Sequence, residues 1–106
     1  MLLPNRVRVL AACEPVDFRK GFDGLCGVVR NTLGEEAQGA TLFVFHNRRR
    51  DQIRILWWDR NGFAIWMKRL ERGTFCFPKL TGTKVGISAA ELAAILEGAV
   101  VLRRSA

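Results

Sequence analysis

Hydrophobic residues recur along the first third of the chain with two different periods, and each period predicts one kind of element. Residues 6–10 alternate polar and apolar side chains, which predicts a half-buried strand. From Phe22 to Leu33 the apolar residues return at the spacing of one helix face. Gly34 supplies the predicted end of that helix. The chain is therefore predicted to begin as a strand followed by a helix.

Runs of β-branched and aromatic residues in the middle of the chain predict consecutive strands. Residues 41–45, 52–59 and 63–70 carry these runs. The last two are predicted to form a hairpin through Asn61-Gly62, because both residue types tolerate the positive φ of a type I′ turn. Loops of two and of three residues both fit this signal.

The last third of the chain predicts short extended pieces followed by a second helix. Arg72-Gly73 predicts a turn, and residues 74–77 and 84–87 predict short strands. Residues 88–91, Ser-Ala-Ala-Glu, match a capping box, in which the serine hydroxyl and the glutamate each bond to a backbone amide.

An apolar face follows the capping box and predicts the helix itself. Gly98 is the predicted end of this helix. Residues 100–102 are expected to pair or pack, and residues 103–106 to fray.

Together these elements predict a fold of the α+β class. The sheet is expected to be antiparallel, with about five strands and two packed helices. At 106 residues the chain fits a single domain, 1–106. The folded part is expected to span about residues 3–102, followed by a short C-terminal tail.

Net charge is confined to one part of the chain. The total is +7, and residues 41–84 account for all of it, with ten Lys or Arg against three Asp or Glu. Residues 1–40 hold five of each sign, and residues 85–106 hold two of each. A clustered positive field indicates an anionic partner, either nucleic acid or an acidic protein. A membrane partner is not expected, because no basic amphipathic helix carries the charge.

Cysteine and histidine usage predicts neither a metal site nor a cofactor site. Cys13, Cys26 and Cys76 are widely spaced, and His46 is the only histidine, so a tetrahedral zinc site lacks ligands. The cysteines are expected to be buried free thiols in a reducing cytoplasm. No apolar stretch approaches the roughly 18–20 residues of a membrane span. We expect a cytoplasmic protein without a cofactor.

Arginines and tryptophans interleave across the predicted hairpin and form the first candidate site. Arginine forks match phosphate oxygens in two-point contacts, and exposed indoles stack on bases. In the opposing interpretation, Trp57 and Trp58 point to opposite faces, so that at least one is core, and the arginines protect strand edges from aggregation. The predicted nucleic-acid-binding residues are Arg48, Arg49, Arg50, Arg54, Arg60, Lys68, Arg69 and Arg72.

A second constellation places two carboxylates beside an Arg-Lys pair. It fits a metal or acid–base site. It also fits a local role in which Asp17 or Asp23 caps the first helix while Arg19 and Lys20 balance the charge. The local role is the favoured interpretation.

Support for catalysis is thin. Asp51 and Asp59 lie at strand ends and could converge with Asp17 or Asp23, as in a metal-dependent nuclease, but no spacing requires it. His46 beside the arginines could cleave RNA, although such a residue is more often a solvated loop histidine.

Four blocks of residues, taken in order, resemble one protein family. They read D-x-R-K-G-F-D-G-L from Asp17, L-F-V-F-x-N-R-R from Leu42, I-x-x-L-W-W-D-x-x-G from Ile53 and K-R-L-E-R-G-x-F from Lys68. The chain is similar, over about residues 3–98, to the small accessory protein of insertion sequence family sixty-six, the TnpB-type product of the second open reading frame.

The resemblance implies an accessory factor in bacterial transposition, encoded beside a larger transposase that has its own catalytic acidic residues. It implies no active site for this chain. Besides three basic residues already named, it gives weight to the family-motif residues Asp17, Arg19, Lys20, Asp23, Trp57, Trp58 and Asp59.

The predicted function is that of a non-enzymatic accessory protein in transposition of a bacterial insertion sequence. It is expected to contact DNA, at the ends of the element, through the Arg-rich hairpin. The alternative is a protein-interaction module that docks on the element-encoded transposase without binding DNA directly. A small nuclease is the second alternative. The oligomeric state is left open.

Overall fold

One mixed sheet carries the fold, with helices on both of its faces. The computed structural model of the chain describes residues 7–97. The elements in chain order are β1 (Arg8–Ala12), α1 (Phe22–Asn31), β2 (Thr41–His46), β3 (Gln52–Asp59), β4 (Gly62–Arg69), β5 (Lys84–Ile87) and α2 (Ala89–Leu96). The strands lie side by side in the order β4-β3-β2-β1-β5. The α+β class, with five strands and two helices, is confirmed.

The pairing of β1 with β2 is parallel, whereas the other three strand pairs are antiparallel. A parallel pair cannot be joined by a tight turn, because the chain must return to the starting end of the sheet. Residues 13–40 make this return across one face and contain α1. The sheet is therefore mostly antiparallel, with one parallel pair, β1 and β2, in its interior.

Two apolar clusters, one on each face of the sheet, form the core. On the α1 face, the cluster includes Leu10, Leu25, Cys26, Val29, Phe43, Phe45 and Leu56. On the α2 face, it includes Val9, Val44, Ile53, Ile55, Phe75, Leu92 and Ile95. All six residues of the central strand β2 are buried. Full burial of each large apolar side chain contributes roughly 1.5–3 kcal/mol before entropy is counted.

The predicted strand at residues 74–77 is wrong. This segment bends across the α2 face, where Phe75 is fully buried and Phe77 packs against the same cluster. A bond from the Phe75 N–H to the Arg50 carbonyl, at 2.7 Å, links it to the turn between β2 and β3. Burial of the two aromatic rings thus takes the place of strand pairing.

The boundaries of the first strand and the first helix differ from the sequence pattern. The first strand lies two residues later than predicted, because its pairing with β2 extends from Arg8 to Ala11. The first helix ends at Asn31, and Gly34, the predicted stop, adopts a φ of +66° just beyond it. Gly98 and residues 100–106, for which an end of helix, packing and fraying were predicted, lie outside the described residues.

The β3–β4 hairpin closes through a two-residue loop, Arg60-Asn61, between the paired Asp59 and Gly62. The positive φ of 59° falls on Arg60. The predicted type I′ turn through Asn61-Gly62 is therefore wrong, since that turn needs two consecutive residues with positive φ. A short bond from the Asn61 N–H to the Asp59 carbonyl, 2.6 Å, tightens the turn around the arginine.

One lysine and one arginine tie the periphery of the sheet to its connections. The ammonium of Lys84 donates to the Leu33 carbonyl at 2.7 Å and also bonds Glu35. Arg8 donates to the other oxygen of Glu35 at 2.7 Å, so that one carboxylate links β1, β5 and the chain after α1. These bonds hold the pKa of Glu35 below its usual range, the bond from Lys84 being the larger cause.

The second helix begins with the predicted capping box. The Ser88 hydroxyl accepts from the Glu91 N–H at 3.0 Å, and the Glu91 carboxylate accepts from the Ser88 N–H at 2.8 Å. At the other end of α2, the Lys68 ammonium donates to the Leu96 carbonyl at 2.7 Å. The helix is thus fixed at its start by its own residues and at its end by β4. Within residues 7–97, neither helix is long and apolar enough to cross a membrane.

Removal of the α2 cap is expected to cost about 1 kcal/mol of unfolding free energy, because Ser88→Ala leaves the Glu91 amide without its acceptor. For a domain of this size, that corresponds to a fall of about 4 °C in melting temperature. Ser88→Asp keeps an acceptor oxygen at the cap and serves as the matched control. Equal melting temperatures for the Ala and Asp variants would contradict this account of the helix start.

Candidate anion-binding groove

A groove of about 760 Å³ opens on the α1 face, between the chain that precedes α1 and the turn that joins β2 to β3. We call it the basic groove. Its lining residues are Pro15, Val16, Asp17, Phe18, Arg19, Asn47, Arg48, Arg49, Gln52 and Arg54. Four arginines and one aspartate leave it with an excess of three positive charges.

One wall of the groove, residues 15–19, is attached to the end of β2. The Val16 N–H donates to the His46 carbonyl at 2.9 Å, and Val16 and Phe18 pack against the α1-face cluster. The parallel pairing of β1 with β2 brings this segment to the β2–β3 turn, although the two are about thirty residues apart in sequence.

The opposite wall, the β2–β3 turn, is organised by Asn47. Its side-chain oxygen accepts from the N–H groups of Asp51 and Gln52 at 3.1 and 3.0 Å, and its amide donates to the Asp51 carboxylate at 2.7 Å. Side chains that bond to nearby backbone in this way fix tight turns. Arg48 and Arg49 are therefore exposed on a turn whose backbone is already held in one conformation.

Arg54 forms part of the floor and is held by an aromatic ring. The centre of its guanidinium lies 4.7 Å from the centroid of the Phe18 ring, within the range of a cation–π contact. Its Nε is buried and has no hydrogen-bond partner among the described residues. A guanidinium stacked in this way loses little rotational freedom when its outer edge binds an anion.

Asp17 and Arg19 form an exposed ion pair at the rim of the groove. The guanidinium of Arg19 donates to both carboxylate oxygens, at 2.7 to 3.1 Å. These bonds hold the pKa of Asp17 well below its usual range. The favoured local role is confirmed for this charge balance, but the expected helix cap is wrong. The residue at the N-cap of α1 is Gly21, with no side-chain bond, and Asp23 lies in the first turn.

The structure divides the eight predicted nucleic-acid-binding residues among several places. Arg48, Arg49 and Arg54 line the groove, and Arg69 neighbours it because it pairs with Gln52 in the β3–β4 register. The remaining four lie elsewhere. The guanidinium of Arg50 is 5.7 Å from the centroid of the Phe77 ring, and Arg60 lies at the far end of the hairpin. Lys68 is bonded to α2, and Arg72 is exposed beyond β4. Seven residue steps along β3 separate the two ends of the hairpin by about 23 Å.

The tryptophans lie on both faces of the hairpin. Trp57 and Trp66 are half-buried against the α2-face cluster. Trp58 is half-buried and meets Phe63 edge to face, with ring centroids 4.9 Å apart. The prediction of one indole on each face is confirmed, and base stacking stays a prediction.

The carboxylates do not converge as a nuclease site would require. Asp51 and Asp59 lie at opposite ends of β3, and Asp59 is exposed. Within residues 7–97, no group of three His, Cys, Asp or Glu is arranged to hold a metal ion. The cysteines in this range are free, as predicted, but the prediction that all are buried holds only for Cys26.

His46 is buried and is not the solvated loop histidine that was expected. It is the last residue of β2, and its ring lies 4.8 Å from that of Phe77. Burial, and then the neighbouring charge of Arg50, lower the pKa of His46 to about 4. Its Nδ1 has no hydrogen-bond partner among the described residues.

Sequence reasoning missed that two separate segments build one site. Arg19 was assigned to the second constellation and the other arginines to the hairpin, whereas the structure joins them in the basic groove. No local signal could reveal this, because the juxtaposition follows from the parallel pairing of β1 and β2.

Comparison with known proteins gives one family and two relatives. The family model described as IS66 Orf2 like protein matches residues 7–106. The chain is 34% identical to the uncharacterized protein y4jC of Sinorhizobium fredii over 92% of its own length and 85% of that protein. It is 35% identical to the uncharacterized protein y4hO of the same organism, over 92% and 86% of the two lengths. No solved structure matches it.

Stability is expected to fall as the pH is lowered from about 6.5, the value of an unfolded histidine, towards 4. In this pH window His46 is protonated in the unfolded chain and neutral in the folded chain. The slope is up to about 1.4 kcal/mol per pH unit for one proton. Urea unfolding at pH 7, 6 and 5 measures this slope. These three pH values lie above the range in which Asp17 and Glu35 titrate.

His46→Leu, which cannot titrate, is the comparison for this measurement. In this variant, the free energy of unfolding is expected to change less between pH 6.5 and 5 than in the wild type. An unchanged slope would mean that another group takes up the proton, and that His46 is accessible to protons in the folded protein.

Proposed function

Because the chain belongs to the IS66 Orf2-like family, and so serves an insertion sequence in an accessory role, we propose that its basic groove contacts the phosphate backbone of DNA. The observation that carries this proposal is the convergence of four arginines, from two distant segments, on one groove with a single carboxylate. Like charges repel, so gathering them on one surface costs stability unless an anionic partner binds there.

The chemistry of the groove suits phosphate oxygens. A guanidinium presents paired N–H donors that match two oxygens of a phosphate. Arg54 is held against Phe18, and Arg48 and Arg49 project from a turn fixed by Asn47. Donors held in place lose less conformational entropy on binding than free side chains, and this favours affinity.

Contacts of this kind carry affinity but little choice of sequence. The proposed role is therefore to hold DNA for the transposition complex, at the ends of the element, without cutting it. Sequence choice and strand cleavage belong, in this proposal, to the element's transposase. No step of catalysis is assigned to this chain.

The proposal is tested by fluorescence anisotropy with a labelled DNA duplex at 50 and 200 mM salt. If four arginines each neutralise one phosphate, affinity is expected to fall on the order of 100-fold over this range. The triple variant Arg48→Gln, Arg49→Gln, Arg54→Gln should bind weakly at 50 mM and lose only about fourfold at 200 mM.

Arg60→Gln is the matched control, because Arg60 is exposed on the same hairpin but about 20 Å along the strand from Arg54, the nearest groove residue in sequence. It should change both the affinity and the salt dependence little. Equal effects of Arg60→Gln and of a single groove substitution would show diffuse attraction to the whole protein and would overturn the groove as the binding site.

Docking on the transposase is separated from DNA contact by the same triple variant. Loss of DNA affinity with the transposase still captured supports the proposal. Loss of transposase capture with DNA affinity unchanged would overturn it, and the positive groove would then be a surface for an acidic region of that protein.

A further inference from the structure

The outer edge of β4 is one of the two free edges of the sheet within residues 7–97, and the outer edge of the four-residue strand β5 is the other. The strand order places β4 outermost, with β3 on its inner side. The Leu70 N–H donates to the Asp51 carbonyl at 2.8 Å, in the same register as the β3–β4 pairs. Along a strand, the N–H and C=O groups of alternate residues point to opposite edges. Because those of Leu70 point towards β3, those of Phe63, Ile65 and Met67 point away from it, to the free edge.

The side chains beside this edge are apolar. Phe63, Ile65 and Met67 follow one another on the α1 face, and Met67 is 56% exposed. Natural proteins usually protect a free edge with proline, a bulge or a charged side chain. Residues 62–67 hold no charge and no proline, and the two basic residues of the strand, Lys68 and Arg69, stand together at its end, so the stretch 62–67 is open to another strand.

We propose that β4 pairs antiparallel with β4 of a second copy of this chain, about a twofold axis at Ile65. This register pairs each Ile65 with its counterpart, each Phe63 with a Met67, and each Ala64 with a Trp66. The outward N–H and C=O groups of both strands are then satisfied across the axis. The two sheets become one sheet of ten strands.

Self-complementarity favours a second copy over an unrelated strand. A twofold axis requires the same surface to match itself, so each side chain must fit the one that the axis places opposite it. On the α2 face the bulky Trp66 opposes Ala64, as Trp57 already does within the hairpin. On the α1 face, the apolar row Phe63, Ile65 and Met67 of one copy lies beside the same row of the other copy, which runs in the opposite direction.

Charge is compatible with this register. Arg69 would oppose Asn61, and Lys68 would oppose Gly62 while its ammonium stays bonded to the Leu96 carbonyl. No two like charges lie directly opposite, so the pairing avoids the repulsion that cross-strand lysines or arginines create.

Sedimentation velocity from 5 to 200 μM tests the proposal, in about 0.5 M salt so that nucleic acid cannot bridge two copies. The full chain is expected to shift with concentration towards twice its mass of 11.9 kDa. Met67→Pro removes one outward N–H without touching the β3 pairing, and a proline is tolerated there on an edge strand. It should stay monomeric and folded.

Met67→Ala is the matched control, since it shortens the same side chain but keeps the N–H. It should dimerise more weakly than the wild type and more strongly than Met67→Pro. A wild-type chain that remains monomeric at 200 μM overturns the proposal and assigns the edge to another occupant. Dimers of Met67→Pro as strong as those of the wild type overturn it as well.

The register is tested by cross-linking in a Cys13→Ser, Cys76→Ser background. Paired Ile65 residues would have Cα atoms about 5.5 Å apart, within the range of a disulfide. Ile65→Cys should therefore oxidise to a covalent dimer, and Met67→Cys, which opposes Phe63, should do so far more slowly. Faster cross-linking of Met67→Cys would overturn the axis at Ile65.

Discussion

The parallel pairing of β1 with β2 determines where the two walls of the basic groove lie. It forces residues 13–40 to cross one face of the sheet, and the apolar surface of α1 holds that crossing in place. The start of the crossing, residues 15–19, is thereby fixed against the end of β2. Without this pairing, Arg19 and Phe18 would have no relation to the arginines of the β2–β3 turn, and the basic groove would not exist.

The groove concentrates cations that a stable protein would otherwise disperse. Its arginines are held in place by local contacts, namely the stacking of Arg54 on Phe18, the bonds of Asn47 across the turn that carries Arg48 and Arg49, and the pairing of Arg19 with Asp17. Each constraint restricts a side chain or a loop in the absence of any partner. The free protein carries the electrostatic cost of this arrangement, and a bound anion would relieve it.

The sequence reveals those elements whose signals are local. The capping box of α2, the full length of β3 and the placement of Trp57 and Trp58 on opposite faces follow from spacing within a few residues, and the structure has them so. Prediction from local signals fails where contacts between residues distant in sequence determine the structure. Burial of Phe75 and Phe77 overrides strand propensity at 74–77, and closure of the hairpin forces Arg60 into a positive φ that Asn61 and Gly62 suit better. The groove belongs to the second kind, because its two walls are joined by strand pairing alone.

The position of β5 has a consequence for synthesis on the ribosome. The last strand of the sheet pairs with the first, so the residues of β1 have partners 33 residues away in β2 and 72 to 78 residues away in β5. The hairpin of β3 and β4 can form as soon as it leaves the exit tunnel, whereas β1 keeps one open side until residue 87 has emerged. Contacts of such long sequence separation form late and slowly. The nascent chain therefore carries an unfinished strand for most of its translation, and a product that stops short of β5 would expose the apolar residues of β1 to other chains.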